Sequence, residues 1–160
     1  MPDKKKVIMV DDDRGACLLV RDILEKTGEF TVIATSDAKE GEGLCYKEKP
    51  DLILLDNVMP EKKGSDIVKA LKNNDETKGT PIIMISGKGE MIYSPKKQKF
   101  EWLPNNPTAL NRGQIVEGKD PEQLSKAYGV NDYIAKPFTA EILIEVIKNV
   151  LEKKQKQSET

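Results

Sequence analysis

Five short apolar runs alternate with stretches of helical periodicity, and this alternation limits the fold more than any other feature of the chain. The runs are Val7-Ile8-Met9-Val10, Phe30 to Ala34, Asp51 to Leu55, Pro81 to Ser86 and Asp132 to Lys136. Each has the length and apolar content of one buried strand. After the first, Asp13 is placed to cap a helix with apolar positions Ala16, Leu19, Val20, Ile23 and Leu24, and Gly28 stops it. After the second, Asp37-Ala38-Lys39-Glu40 reads as a capping box. The helix it opens contains Gly41 and Gly43, each costing about 1 kcal/mol relative to alanine, which weakens that assignment. Ile67, Val68 and Leu71 share one side of a third helix, Asp120-Pro121 opens another that Gly129 ends, and Thr139 caps the last. That last helix carries a stripe of Leu143, Val146, Ile147 and Val150, and the polar tail from Lys153 to Thr160 is expected to fray. Strand followed by helix, five times over, predicts an α/β fold: a parallel sheet covered on both faces, with right-handed crossovers. In such sheets the site lies beyond the carboxyl ends of the strands.

Length and composition narrow the chemistry. A chain of 160 residues is expected to form a single domain over residues 1–160. Lys plus Arg total 26 and Asp plus Glu 27, for a net charge of -1, which gives no general attraction to nucleic acid or an anionic membrane. The N-terminal apolar run is too short for a signal peptide or a membrane span. Histidine is absent, which excludes Ser-His-Asp and Cys-His catalysis, His-ligated metal sites and a phosphohistidine carrier. Cys17 and Cys45 imply no disulfide framework, so a cytoplasmic setting is expected.

The residues just past the strands form a recognisable set. Asp11, Asp12 and Asp13 follow the first strand, Asp56 the third, Ser86 ends the fourth and Lys136 ends the fifth. Carboxylates gathered at one sheet edge repel each other unless a cation or protons neutralise them. A hard divalent ion with oxygen ligands does so, and Mg2+ commonly takes one or two carboxylates plus waters and phosphoryl oxygens. Lys136 supplies a mobile positive charge and Ser86 a hydroxyl donor. A carboxylate nucleophile, a metal, a lysine and a hydroxyl are the parts of phosphoryl transfer.

With these residues placed, the sequence resembles the receiver domains of two-component response regulators. The resemblance is carried by VIMVDDD from Val7, DLILLDNVMP with Gly64, IIMIS with Gly87 and DYIAKPF from Asp132. It implies a flavodoxin-like three-layer (βα)5 sandwich with a parallel five-stranded sheet of order 2-1-3-4-5, as in the chemotaxis member of the family. It implies that Asp56 is the phosphoacceptor and that Mg2+ (or Mn2+) is held by Asp12, by Asp11 through water, by Asp56 and by the backbone carbonyl of Val58. Ser86 is the implied switch hydroxyl, Gly87 the small neighbour that keeps the site open and Lys136 the phosphoryl partner. A cis bond before Pro137 is implied, and Tyr133 matches the aromatic switch, although a tyrosine also fits that strand without switching. The implied donor is a sensor histidine kinase or a phosphotransfer protein. No output domain is expected after Lys136, so the chain reads as stand-alone, acting on an unidentified downstream protein through the fourth helix, fifth strand and last helix. It would catalyse only its own phosphorylation and dephosphorylation.

One stretch departs from the family pattern. Fifty residues separate Ser86 from Lys136, roughly twice the expected spacing, and the excess falls at about 88–119, between strand 4 and helix 4. This insert contains Tyr93, Phe100, Trp102, Leu103, Ile115 and Val116. It is read either as a surface excursion that packs its aromatics locally or as an element that binds a partner or covers the site. Three rival readings are weaker. Asp11-x-Asp13, Ser86 and Lys136 follow the order of a haloacid-dehalogenase-type phosphohydrolase, but Arg14 and Gly15 fit its first motif poorly and Asp56 is left unexplained. A flavodoxin-like cofactor binder would need a Ser-, Thr- or Gly-rich phosphate loop where this chain has three aspartates. A scaffold that is never phosphorylated would have no use for the intact residue set.

Overall fold

The computed structural model describes residues 3–57, 59–86, 89–94, 99–104, 126, 129–136 and 138–159, with backbone alone at 86, 89–94, 99–104 and 135. Seven strands are found among them: β1 (Lys5–Val10), β2 (Phe30–Thr35), β3 (Leu52–Asp56), β4 (Ile82–Ser86), β5 (Gly89–Ser94), β6 (Lys99–Pro104) and β7 (Asp132–Ala135). Five form one parallel sheet in the order β2-β1-β3-β4-β7, which is the expected 2-1-3-4-5 with β7 as the fifth strand. The remaining two make an antiparallel ribbon, in which Met91 pairs with Trp102 and Tyr93 with Phe100. That ribbon occupies the first part of the stretch read as an insert; its remainder, and the helix expected from Asp120 to Gly129, fall mainly outside the described residues.

Helices α1 (Arg14–Lys26), α2 (Ala38–Glu48), α3 (Gly64–Lys72) and α4 (Ala140–Glu159) cover the sheet. Strand side chains alternate between faces, and two cores result. Val7 and Met9 pack with Cys17, Val20 and Leu24 of α1 and Leu143, Ile147 and Val150 of α4. Ile8 and Val10 pack on the other face with Ala38 and Cys45 of α2 and Ile67, Val68 and Leu71 of α3. Each fully buried aliphatic side chain contributes about 1.5–3 kcal/mol by leaving water.

The caps behave as the sequence implies. Asp13 accepts from the N–H groups of Gly15 and Ala16, Asp37 from Glu40, and Thr139 from Ile142. Gly28 has φ +78, the left-handed conformation that suits glycine after a helix. Two expectations need correction. Leu19 is 49% exposed and Cys17 takes its place in the buried stripe of α1, because the helix is rotated to face β1 and β2. The helix through Gly41 is intact. A Cβ at Gly41 would lie 2.5 Å from Val10 Cγ1, so glycine lets α2 approach β1 rather than weakening the helix. The polar tail continues α4 as far as Glu159, where Ser158 Oγ donates to the carbonyl of Lys154 and Gln155 reaches Glu159.

Candidate functional site

Strand register aligns the acidic side chains. Val10 is level with Leu55, so Asp11 and Asp56 leave the sheet side by side. Ser86 is level with Ala135, which puts Lys136 one step beyond the same edge. Asp11, Asp12 and Asp56 each offer a carboxylate oxygen, and these oxygens lie within 4.8 Å of one another. Asp11 and Asp56 are buried and Asp12 is exposed.

Asp11 is held from three sides. Its N–H donates to the carbonyl of Thr35 at 3.1 Å, and its Oδ1 accepts the N–H of Asp13 at 2.9 Å. Its Oδ2 lies 2.5 Å from Lys136 Nζ. Lys136 thus brings one positive charge to three clustered carboxylates. Leaving ionised carboxylates together in a dry site costs several kcal/mol per ion unless charge is supplied. Clustered hard oxygens are the donor set that Mg2+ or Mn2+ takes, so the residues present fit such an ion.

Asp56 closes β3, and the backbone next to it is fixed by Gly64. The N–H of Gly64 donates to the carbonyl of Asn57 at 3.0 Å. A Cβ on Gly64 would fall 2.3 Å from the Asp56 carbonyl oxygen and 2.9 Å from Asn57 Cα. The start of α3 can therefore seat against the end of β3 only without a side chain. From the sequence, Gly64 enters only as part of the family pattern, and this contact is missed.

Cys17 was also missed as a neighbour of the site. Its Sγ donates to the Asp11 carbonyl at 3.3 Å and is 3.7 Å from the Thr35 carbonyl. Burial, and then the charge of Asp11, push the thiol up to about 11. The signal was its place one helical turn after the Asp13 cap, on the side facing the sheet.

The other expected residues divide. Tyr133, opposite Met84, is buried at 6% exposure in the core shared with α2 and α3. Ser86 is placed by its backbone, while Val58, Gly87 and Pro137 lie outside the described residues. Asp13, which the phosphohydrolase reading needs free, is committed to capping α1.

A family model of the response regulator receiver domain matches residues 7–100. The chain belongs to the response regulator receiver domain family. This receiver domain is 32% identical over 146 residues to the transcriptional regulatory protein CpxR of Escherichia coli K12, covering 91% of this chain and 49% of that one. It is 28% identical to the polar-differentiation response regulator DivK of Brucella anthropi, covering 92% of this chain and 96% of DivK. The chain thus spans about half the length of CpxR and nearly all of DivK. Among solved structures, a CheY-like receiver domain protein from Methanospirillum hungatei JF-1 superposes with a TM-score of 0.69 at 23% identity, covering 97% of this chain and 99% of that one. Receiver domains are signalling domains of two-component systems. As a family they bind Mg2+ and interact with histidine kinases and downstream targets. No helix among the described residues is long and apolar enough to cross a membrane.

Proposed function

We propose that this receiver domain works as a stand-alone phospho-accepting response regulator, taking a phosphoryl group onto Asp56 from a sensor histidine kinase or a phosphotransfer protein. The observation that carries the reading is the convergence of Asp11, Asp12 and Asp56 within 4.8 Å, with Lys136 beside Asp11. In the transfer a carboxylate oxygen of Asp56 forms the new bond to phosphorus as the donor's P–N bond breaks. Asp11, Asp12, Asp56 and the backbone carbonyl of Val58 would hold Mg2+ or Mn2+, which supplies positive charge for the phosphoryl oxygens. Lys136 would pair with a phosphoryl oxygen and Ser86 would donate its hydroxyl to another.

Esterification puts a dianion where a monoanion stood. Ser86 and Lys136 then gain a partner, the loops after β3 and β4 shift, and Tyr133 settles in the conformation that favours the output face. Output through a downstream protein, without direct contact to nucleic acid or membrane, belongs to the same proposal. So does a cytoplasmic setting, which two free, buried thiols suit. The near-complete coverage of the response regulator DivK supports the response-regulator reading.

The test is incubation with acetyl phosphate and Mg2+, followed by intact-mass measurement of wild type and Asp56→Ala. One phosphoryl adduct on the wild type, lost with EDTA and in the variant, is expected. An adduct that persists in Asp56→Ala moves the acceptor elsewhere, and no adduct on either protein favours the scaffold reading.

A further inference from the structure

The segment between Asp56 and α3 meets α2 through an ion pair. Met59 is buried in the core that contains Ala38 and Cys45 of α2. Lys62 forms an ion pair with Glu42 Oε1, and Tyr46, one turn further along α2, donates its hydroxyl to Glu42 Oε2 at 3.1 Å. Both oxygens of Glu42 are therefore engaged, and its side chain is only 19% exposed. The base of the segment is closed by the hydrogen bond from Gly64 to Asn57. Among its described residues the segment is thus tied at Asn57 and at Lys62.

We propose that Glu42, acting through Lys62, is a positioning residue for the cation site. By holding Lys62 against α2, it sets how tightly the three-aspartate cluster takes Mg2+ or Mn2+. This rests on the metal-site reading above. The physical link is geometric: Mg2+ demands near-ideal octahedral coordination at short distances, so a loop that drifts beside a ligand weakens binding. Groups that orient a metal's surroundings at one remove typically change affinity about 10–100-fold. The Glu42–Lys62 pair acts through the backbone, so about a three- to tenfold effect is expected, below that range.

A sign test separates positioning from plain electrostatics. Removing a positive charge near a cation site strengthens cation binding by Coulomb's law. Positioning requires the reverse: Lys62→Gln weakens binding, as Glu42→Gln does. Because the two act as one unit, the double variant should be no weaker than either single.

The experiment is Mn2+ titration of wild type, Glu42→Gln, Lys62→Gln and the double variant, reading free Mn2+ by electron paramagnetic resonance. Thermal melts confirm that each is folded at the temperature used, and Asp12→Asn shows that the ion counted sits at the cluster. Weakening by both single variants, without further loss in the double, supports the proposal. Lys62→Gln binding as tightly as wild type, or tighter, overturns it while leaving the site reading intact. A wild type that takes no Mn2+ overturns the site reading itself, and the role of Glu42 falls with it.

Discussion

Replacing Gly64 with alanine adds one methyl group at a close backbone contact beside Asp56. The new carbon would stand 2.3 Å from the Asp56 carbonyl oxygen, 2.9 Å from Asn57 Cα and 3.1 Å from the Asp56 carbonyl carbon. Every clashing atom is backbone, so no rotamer change relieves it. Ordinary contact needs a separation of roughly 3.5 Å, so the start of α3 must move by about 1 Å. Overpacking of this kind costs about 1–3 kcal/mol, and losing the Gly64–Asn57 hydrogen bond adds about 1 kcal/mol. Alanine's helix propensity returns at most about 1 kcal/mol. The net is a loss of about 1–3 kcal/mol, which lowers Tm by about 2–12 °C in a chain of this size. Gly43 is the control: nothing lies within 4 Å of its would-be Cβ, and it is exposed inside α2. Gly43→Ala should therefore stabilise, by about 0.5–1 kcal/mol. Thermal and urea unfolding followed by circular dichroism measure both. If Gly64→Ala proves as stable as Gly43→Ala, the close approach of α3 to β3 is not what this glycine provides.

Other consequences can be checked on the same protein. Lys136→Met leaves the fully buried Asp11 without its ammonium, which should cost about 3–5 kcal/mol without metal. Mg2+ should raise the Tm of that variant more than that of wild type; equal gains would show that the ion does not share Asp11's charge. Burial raises the Cys17 thiol from 9.0 to about 11 and the Cys45 thiol from 9.0 to about 12. Above pH 9 the unfolded chain releases protons that the folded chain keeps. Stability should then fall between pH 9 and 11, by about 1.4 kcal/mol per pH unit for each thiol. Urea unfolding of Cys45→Ala should show the slope reduced by one thiol's share. Leu24→Ala should cost about 2–5 kcal/mol, whereas Leu19→Ala, at a position 49% exposed, should stay within about 0.5 kcal/mol of wild type.

The sheet was legible in the sequence because its strands are buried on both faces and read as unbroken apolar runs. The caps at Asp13, Asp37 and Thr139 were legible because a short polar side chain before a helix has few other tasks. Helical facing was less so. Leu18 and Leu19 are as apolar as Leu24, and spacing alone does not say that Cys17 faces the sheet while Leu19 faces water. Gly41 misled because helix propensity counts the entropy glycine costs and not the space it leaves for Val10. Lys99-Phe100-Glu101-Trp102 does alternate charged and aromatic residues, but its partner strand is known only from the register, which brings Met91 opposite Trp102. At the site, the gathering of Asp11, Asp12, Asp56 and Lys136 followed from topology. The grip of Glu42 on Lys62 did not, because a charge pair twenty residues apart has no sequence signature until α2 and the loop are set side by side.

Both native sulfhydryls are sequestered, one under α1 and one under α2. Maleimide and nitroxide reagents at neutral pH should pass them by, so the native chain can serve as a background for site-directed labelling. A cysteine introduced at Leu18, which is 68% exposed, would then be the single point of attachment. A spin label there would feel the paramagnetism of bound Mn2+, turning α1 into a ruler for where the ion resides.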